Sequence, residues 1–293
     1  MDLNVIMADR VFLEGPRWQA GRIWVSDFFA GEVVSAAEDG SDVRTEAELD
    51  DWPSGTGLLP DGRLLVVSMQ QHRILRREHD GRLVTHADLS GLARGPVNDM
   101  AVDPQGNAYV GCFGFDLRGG EDIATAPLIR VTPDGRAEIA ADGLYFPNGI
   151  VADGQRVVVG ETVGNRLSVF DVAADGSLGE RRDWARFGEV PTTVAYREAV
   201  AQAAVTPDGI SQPDAEGAIW VADPEHNRAI RVADGGGVLA ELPLGEREQA
   251  YAVALGGADG RTLFLVVAPG MGEFGPGDRA ATVRTARVDV PLG

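Results

Sequence analysis

GPVNDMAVDPQGNAYVG, residues 95–111, is the stretch that decides the fold. Asn98 and Asp99 stand side by side at its head. A short alternation, Met100 and Val102, runs into the turn Asp103-Pro104-Gln105-Gly106-Asn107, and Ala108 to Gly111 reads as a second strand. Pro, Gly and Asn between two apolar runs specify a β-hairpin, here with polar residues on its leading end. Outward from this stretch the pattern recurs. Glu14-Gly-Pro-Arg-Trp leads to Gly21 through Asp27, Ser54-Gly-Thr-Gly-Leu to Pro60 through Ser68, and Pro147-Asn-Gly-Ile-Val to Arg156 through Gly160. Pro207-Asp-Gly-Ile leads to Gly217 through Asp223, and Tyr251-Ala-Val-Ala-Leu to Gly260 through Val267. Further strands follow, such as Arg73-Ile-Leu-Arg, Leu128-Ile-Arg-Val, Arg166-Leu-Ser-Val-Phe and Ala229-Ile-Arg-Val. Turns such as Pro133-Asp-Gly-Arg then lead into a fourth strand.

Six repeats of four short strands, each roughly 40 to 50 residues, specify an all-β, six-bladed β-propeller with four-stranded blades. The whole chain, 1–293, reads as one such domain. Strand-like ends at Asn4 to Phe12 and Thr282 to Val290 are expected to close the ring, because closure removes a free edge. The repeat starting at 148 is long. Within it Thr192 to Ala204 carries Tyr196, Ala199, Val200 and Ala203 on one helical stripe. It reads as a short helical insertion between blades four and five, since so few residues cannot make four strands.

A formal net charge of −19 argues against a phosphate-binding face, so nucleic acid is not expected as a partner. The first residues show no basic region followed by an apolar run, and no stretch approaches the length of a membrane span. Cys112 is the single cysteine, which excludes an internal disulfide. These features point to the cytoplasm, with no membrane partner, and to a monomer or small homo-oligomer. Cys112 reads as a small strand-end residue rather than a nucleophile, and His72, His79, His86 and His226 show no zinc spacing.

Propeller geometry turns the repeat into a site. The innermost strand of each blade starts at one mouth of the central channel, and the second strand returns to it. An inner ring follows, of Glu14, Ser54, Asn98, Asn148, Asp208 and Tyr251. An outer ring holds Asp27, Met69, Phe113 with Asp116, Glu161 and Asp223. The inner ring offers two carboxylates and two carboxamides, all hard oxygen donors. That set suits one divalent cation: Ca²⁺ first, with Mg²⁺, Mn²⁺ or Zn²⁺ as alternatives. A single Asx before a strand is ordinarily a turn former; four acidic or amide residues at equivalent places read better as a site. The outer ring mixes apolar Met69 and Phe113 with acidic Asp116 and Glu161, and reads as the wall of a small-molecule pocket.

At these residues the sequence resembles the senescence marker protein, regucalcin and gluconolactonase family, six-bladed calcium-dependent lactonases. The likeness rests on Glu14-Gly-Pro, Asn98-Asp99 with Val102-Asp103, Phe146-Pro-Asn-Gly149, and Pro207-Asp-Gly209 followed by Asp214 through Ala222. The resemblance implies that Glu14, Asn148 and Asp208 are metal ligands and that Asn98 binds substrate or completes the metal shell. It further implies that Asp208 is the general base and that Asp116 contacts substrate hydroxyls. Pro96 stands where sugar-lactone members carry an arginine, with Arg94 nearby, so a sugar lactone is not the expected best substrate.

Lactone hydrolysis needs a polarised carbonyl and an activated water, which a cation and a neighbouring carboxylate supply. Metal ligation would depress the pKa of Asp208, so Asp99 stands as the alternative base. Two readings compete with a metal-dependent lactonase: a phosphotriesterase on the same ligands, as in diisopropylfluorophosphatase and paraoxonase, and a non-catalytic calcium- or ligand-binding propeller.

Overall fold

The turn signals fold the chain into antiparallel strands grouped in six sheets. This computed structural model describes residues 3–270 and 277–293. A first strand, β1 (Asn4–Arg10), precedes the blades. Blade one is β2 (Leu13–Gln19), β3 (Arg22–Asp27), β4 (Glu32–Ala36) and β5 (Arg44–Glu48). Blade two is β6 (Pro53–Leu58), β7 (Leu64–Ser68), β8 (Arg73–Arg77) and β9 (Leu83–Asp88). Blade three, which holds the opening stretch, is β10 (Val97–Val102), β11 (Ala108–Cys112), β12 (Ala126–Val131) and β13 (Ala137–Leu144). Blade four is β14 (Pro147–Ala152), β15 (Arg156–Glu161), β16 (Arg166–Asp171) and β17 (Arg182–Arg186). The insertion follows as α1 (Tyr196–Gln202), with Ala199, Val200 and Ala203 turned inward as the stripe predicts.

Blade five is β18 (Ile219–Asp223), β19 (Arg228–Val232) and β20 (Val238–Pro243). Its innermost strand is reduced to a short segment joined to β18 by the Ile210–Val221 bridge and the Asp208 N–H to Ala222 carbonyl bond of 3.0 Å. Blade six is β21 (Gln249–Gly256), β22 (Thr262–Ala268) and β23 (Ala281–Arg287), and β1 supplies its outermost strand, paired antiparallel with β23. The ring is therefore closed by both ends of the chain, as expected. Deleting residues 1–10 should expose the β23 edge and lower Tm by at least ~5 °C. Light scattering during a thermal melt reads both effects, and a deletion that melts like the full chain would refute the closure argument.

Two sequence details decide how the inner strands approach the axis. Pairing of the first strand with the second slips at Glu14/Arg17, Pro53/Thr56, Val97/Met100, Pro147/Ile150 and Ala250/Ala252. Each slip is a β-bulge, the device that re-aims a side chain within a strand. The residue after the ring position is also glycine in four blades: Gly15, Gly55, Gly149 and Gly209. A Cβ on Gly149 would lie 2.5 Å from the Asp208 carbonyl, and one on Gly209 would lie 2.3 Å from the Ala252 Cβ. Glycine lets neighbouring inner strands touch, and its N–H groups then bond across blades. Gly149 N–H reaches the Asp208 carbonyl at 3.2 Å, and Gly209 N–H reaches the Tyr251 carbonyl at 2.9 Å. Between blades the packing is apolar: Leu13, Val25, Val67, Val110 and Phe264 are fully buried in one shared cluster.

A candidate metal centre and active site at the channel mouth

The bulges bring the inner-ring residues of different blades into one bonded chain. The Ser54 hydroxyl donates to Asn98 Oδ1 at 3.1 Å, and Asn98 Nδ2 donates to Asn148 Oδ1 at 3.0 Å. Asn148 Nδ2 reaches Thr162 Oγ1 at 3.2 Å, and that hydroxyl donates to the Pro207 carbonyl at 2.9 Å, beside Asp208. The amides are thus oriented by their neighbours, with one lone pair left on each oxygen. Asn98, Asn148 and Asp208 are all nearly buried.

Glu14 and Asp208 face one another across this chain. Burial pushes the Glu14 carboxyl well above the ordinary carboxylate range, and the charges of Asp208 and Asp99 push it further. Burial does the same to Asp208, with Asp99 adding to it, while hydrogen bonds from Asn148 and the Gly209 N–H pull the other way. Among the described residues Asp208 Oδ1 is buried without a hydrogen-bond partner. A buried oxygen of that kind needs an unrecorded partner to account for it, and two such acids cannot both ionise cheaply side by side. The donor set, two carboxylates with oriented amide oxygens, fits a hard divalent cation. Among the described residues no three His, Cys, Asp or Glu side chains cluster as a metal site, so the amides are essential to any such centre here.

Asp99 is differently placed. Both its oxygens accept from Arg17 Nη2, at 2.9 and 2.8 Å, and Oδ2 also receives the Ile150 N–H at 3.3 Å. Its carboxylate is spent on holding Arg17, which also bonds the Met100 carbonyl at 2.8 Å. Arg17 also lines a cavity of about 110 Å³, with Gln19, Thr56 and Ser211 among others.

The outer ring corrects the sequence reading. Glu161 is fully buried, and its oxygens take the Tyr145 N–H at 2.8 Å, Arg166 at 2.7 and 2.9 Å, and the Ser168 hydroxyl at 2.5 Å. It has nothing left to offer a substrate. Asp27 and Asp223 do the same work. Asp27 accepts from Val11 and Phe12, both at 3.2 Å, and Asp223 accepts from the Thr206 N–H at 2.9 Å and from Arg228 at 2.8 Å. Each acid at the end of a second strand latches the backbone that enters the first strand of its own blade. Met69 is 1% exposed and packs in the core, so it too is not a wall of the pocket. Cys112 is buried at the end of β11, and burial raises its thiol to about 11, which leaves it inert.

Phe113 does lie at the mouth, 4.3 Å between centroids from Phe146, which precedes the Asn148 motif. Asp116 sits in the exposed loop 113–125, where its Oδ1 accepts the Gly119 N–H at 2.8 Å. Arg94 is committed to Asp142 at 3.1 and 2.8 Å, so it does not replace the arginine absent at Pro96.

Sequence reasoning missed several groups around the mouth. Tyr196, on α1, stacks toward Phe115 and Phe146, and burial with the charge of Asp208 raises its hydroxyl. Glu225 follows Asp223 as Phe29 follows Asp27 at one remove, and burial raises its carboxyl too. Phe12, Phe28, Phe29 and Trp52 form a second aromatic cluster, and Phe12 lies 4.8 Å from Tyr251. The matching position across blades was the available signal for Glu225 and Phe29.

A six-bladed ring with oxygen donors at one mouth defines a class before any particular relative. The chain belongs to the SMP-30/gluconolactonase/LRE-like family, whose family model matches residues 12–269. It is 28% identical over 227 residues to a pentonolactonase of Haloferax volcanii, covering 77% of this chain and 70% of the relative. Among solved structures it is similar to regucalcin, a calcium-binding protein from Agrobacterium tumefaciens, with a TM-score of 0.74, 21% identity and 98% and 96% of the two chains covered. It is also similar to a gluconolactonase from Xanthomonas campestris, with a TM-score of 0.71, 22% identity and 99% and 89% covered. The lactonase class expected from the motifs and this family agree. No helix among the described residues is long and apolar enough to cross a membrane.

Proposed function

We propose that the protein hydrolyses a small lactone at the channel mouth, using one divalent cation held by Glu14, Asn148 and Asp208 with Asn98 beside them. The observation that carries this is the pairing of half-buried Glu14 with buried Asp208, whose Oδ1 no group among the described residues satisfies. Calcium is the first choice of metal, on the oxygen-only donors and the calcium-binding relative. When bound there, the cation supplies a Lewis acid for the lactone carbonyl.

The rest falls to side chains of this chain. Asn98 and Asn148, fixed by the bonded chain through Ser54 and Thr162, hold the ring geometry without moving. The Asp208 carboxylate takes a proton from the attacking water and returns it to the ring oxygen as the ring C–O bond breaks, giving the open hydroxy acid. Asp99 is not the base in this scheme, because Arg17 occupies its carboxylate. Phe113, Phe146 and Tyr196 on one side, and Phe12, Phe29 and Trp52 on the other, exclude water and favour an apolar ring face.

The test is a lactone panel followed by acid release, after chelation and with each cation restored. Turnover should vanish on chelation and return with calcium. Since Pro96 and Arg94 supply no strand-borne cation for sugar hydroxyls, less hydroxylated five- and six-membered lactones should exceed gluconolactone in kcat/KM. A preference for gluconolactone of tenfold, about 1.4 kcal/mol, would refute that, and turnover of phosphotriesters in place of lactones would replace the reading.

The raised carboxyls give an independent check. A carboxyl whose folded pKa lies above its unfolded value binds more protons folded than unfolded. Its stabilising contribution is present below the ordinary range, about pH 4, and is lost as pH rises through the folded value. Without cation, Glu14 and Asp208 should therefore weaken the fold as pH rises. Added calcium should raise Tm more at pH 7 than at pH 5, and its binding should release protons in that window. Thermal melts with chelator or calcium across pH measure this; a calcium effect independent of pH would contradict it.

A further inference from the structure

The loop 113–125 is not a free excursion from blade three. Phe115 packs on Phe146 and Tyr196, at 5.9 and 6.3 Å between centroids, and Ile123 N–H bonds the Val194 carbonyl at 2.8 Å in the segment leading to α1. On the opposite side, Arg118 places its guanidinium carbon 4.8 Å from the ring centroids of both Phe29 and Trp52. Those rings belong to blades one and two. Trp52 leads into Ser54, and Phe29 is one ring from Phe12, which touches Tyr251. Tyr251 in turn feels the charges of Asp208 and Glu14. The loop therefore spans the mouth, with a cation at its far end.

Among the described residues Arg118 makes no hydrogen bond and no ion pair, in a chain of net charge −19. Acids stand close in its own loop, but Asp116 bonds the Gly119 N–H, Glu121 bonds the Asp116 N–H at 2.8 Å, and exposed Asp122 forms no ion pair with Arg118. Across the mouth, Arg197 faces Glu225. A guanidinium against aromatic faces uses its π surface and leaves the N–H groups at its edge free. Those donors form a planar fork that matches a carboxylate bidentately.

We propose that Arg118 is a specificity-determining residue that selects lactones bearing a carboxylate substituent, bound at its guanidinium edge while the lactone carbonyl lies at the Glu14–Asp208 centre. This rests on the lactonase reading above and names its substrate class. It also gives a role to a cationic side chain carried by the loop, where the strand carries Pro96.

The probes are γ-butyrolactone with a carboxylate on the carbon beside the ring oxygen, and the matching carboxamide, equal in size and neutral. The holoprotein should favour the carboxylate in kcat/KM. Arg118→Met should lower the carboxylate-to-carboxamide ratio at least tenfold while changing the carboxamide less than threefold. Arg118→Lys, which keeps the charge and loses the fork, should fall between. Added salt should erode the ratio in the wild type and not in Arg118→Met. If Arg118 only latches the loop, both substrates will fall together in Arg118→Met and the ratio will not move, which overturns the proposal, as does equal use of the two probes by the wild type. Calorimetric binding of the same pair reads Arg118 without turnover. Preferential binding of the carboxylate without hydrolysis of any lactone would count against the lactonase reading alone, whereas equal binding would overturn the Arg118 assignment. Melting curves confirm that both variants are folded.

Discussion

Asp208→Asn is expected to lower kcat/KM on a small lactone by roughly 10²–10⁴, the range for loss of a positioned general base, and to weaken calcium binding as well. The substitution keeps the shape of the side chain and removes its charge and its basic oxygen. The same variant should be at least as stable as the wild type in chelator, because it deletes a buried charge that burial and Asp99 already penalise. Activity and stability then move in opposite directions, which a merely structural residue would not show. Asp99→Asn is the contrasting variant: it should melt lower, since Arg17 loses its partner. The base assignment fails if Asp99→Asn abolishes turnover in a folded protein and Asp208→Asn does not. Metal analysis of a Glu14→Ala, Asp208→Ala double variant completes the case, and full occupancy there would remove the centre altogether.

Glu161→Ala should cost about 3–5 kcal/mol of stability, the usual penalty for stranding one member of a buried ion pair. Arg166 has a side chain only 10% exposed and would lose both its bonds to that carboxylate. The Tyr145 N–H would lose its acceptor as well. At roughly 2–4 °C per kcal/mol for a chain of this size class, the expected fall in Tm is about 6–20 °C. Replacing Arg166 with Met in the same chain should recover part of it, because the stranded charge is gone. Unchanged melting in Glu161→Ala would mean that the carboxylate is not a latch. A loss confined to substrate KM would restore the substrate-contact reading.

The blades were legible because their signals are local. Asp103 through Asn107 can only turn, and Met100, Val102 and the strand that follows can only pair across it. The insertion was legible from the spacing of Tyr196, Ala199, Val200 and Ala203. The outer ring was misread because a carboxylate at a strand end looks the same whether it meets solvent or a neighbour's N–H. A signal was present all the same: Glu161 and Arg166, and Asp223 and Arg228, are each five residues apart at equivalent places, which is the spacing of a latch across one β-turn. Asp99 was left as an alternative base because its partner, Arg17, lies 82 residues away. The bulges that turn Asn98 and Asn148 toward the axis leave no mark on composition. Only the glycines after the ring positions hint that backbones meet there. Arg118 was invisible for a related reason, since its contacts lie on two other blades.

The pairing of β1 with β23 carries a consequence for the order of assembly. Residues 4–10 find their partner only when residues 281–287 are in place. Five blades pair strands that are neighbours in sequence and can each form early. The sixth must close a loop of nearly the entire chain, and such non-local pairings come late and slowly. During synthesis the first strand therefore waits with its backbone donors and acceptors open, a template for any other extended segment. Its own residues limit the hazard: Asn4, Val5, Asp9 and Arg10 lie toward solvent or half-buried in the finished ring, and only Met7 is truly buried. The apolar run Val5 to Ala8 is short and is flanked by Asn4, Asp9 and Arg10, polar and charged neighbours that blunt an open edge while the strand waits. It is held at the end chiefly by its ladder to β23, so ring closure is the step at which the fold becomes complete and the step most open to interception.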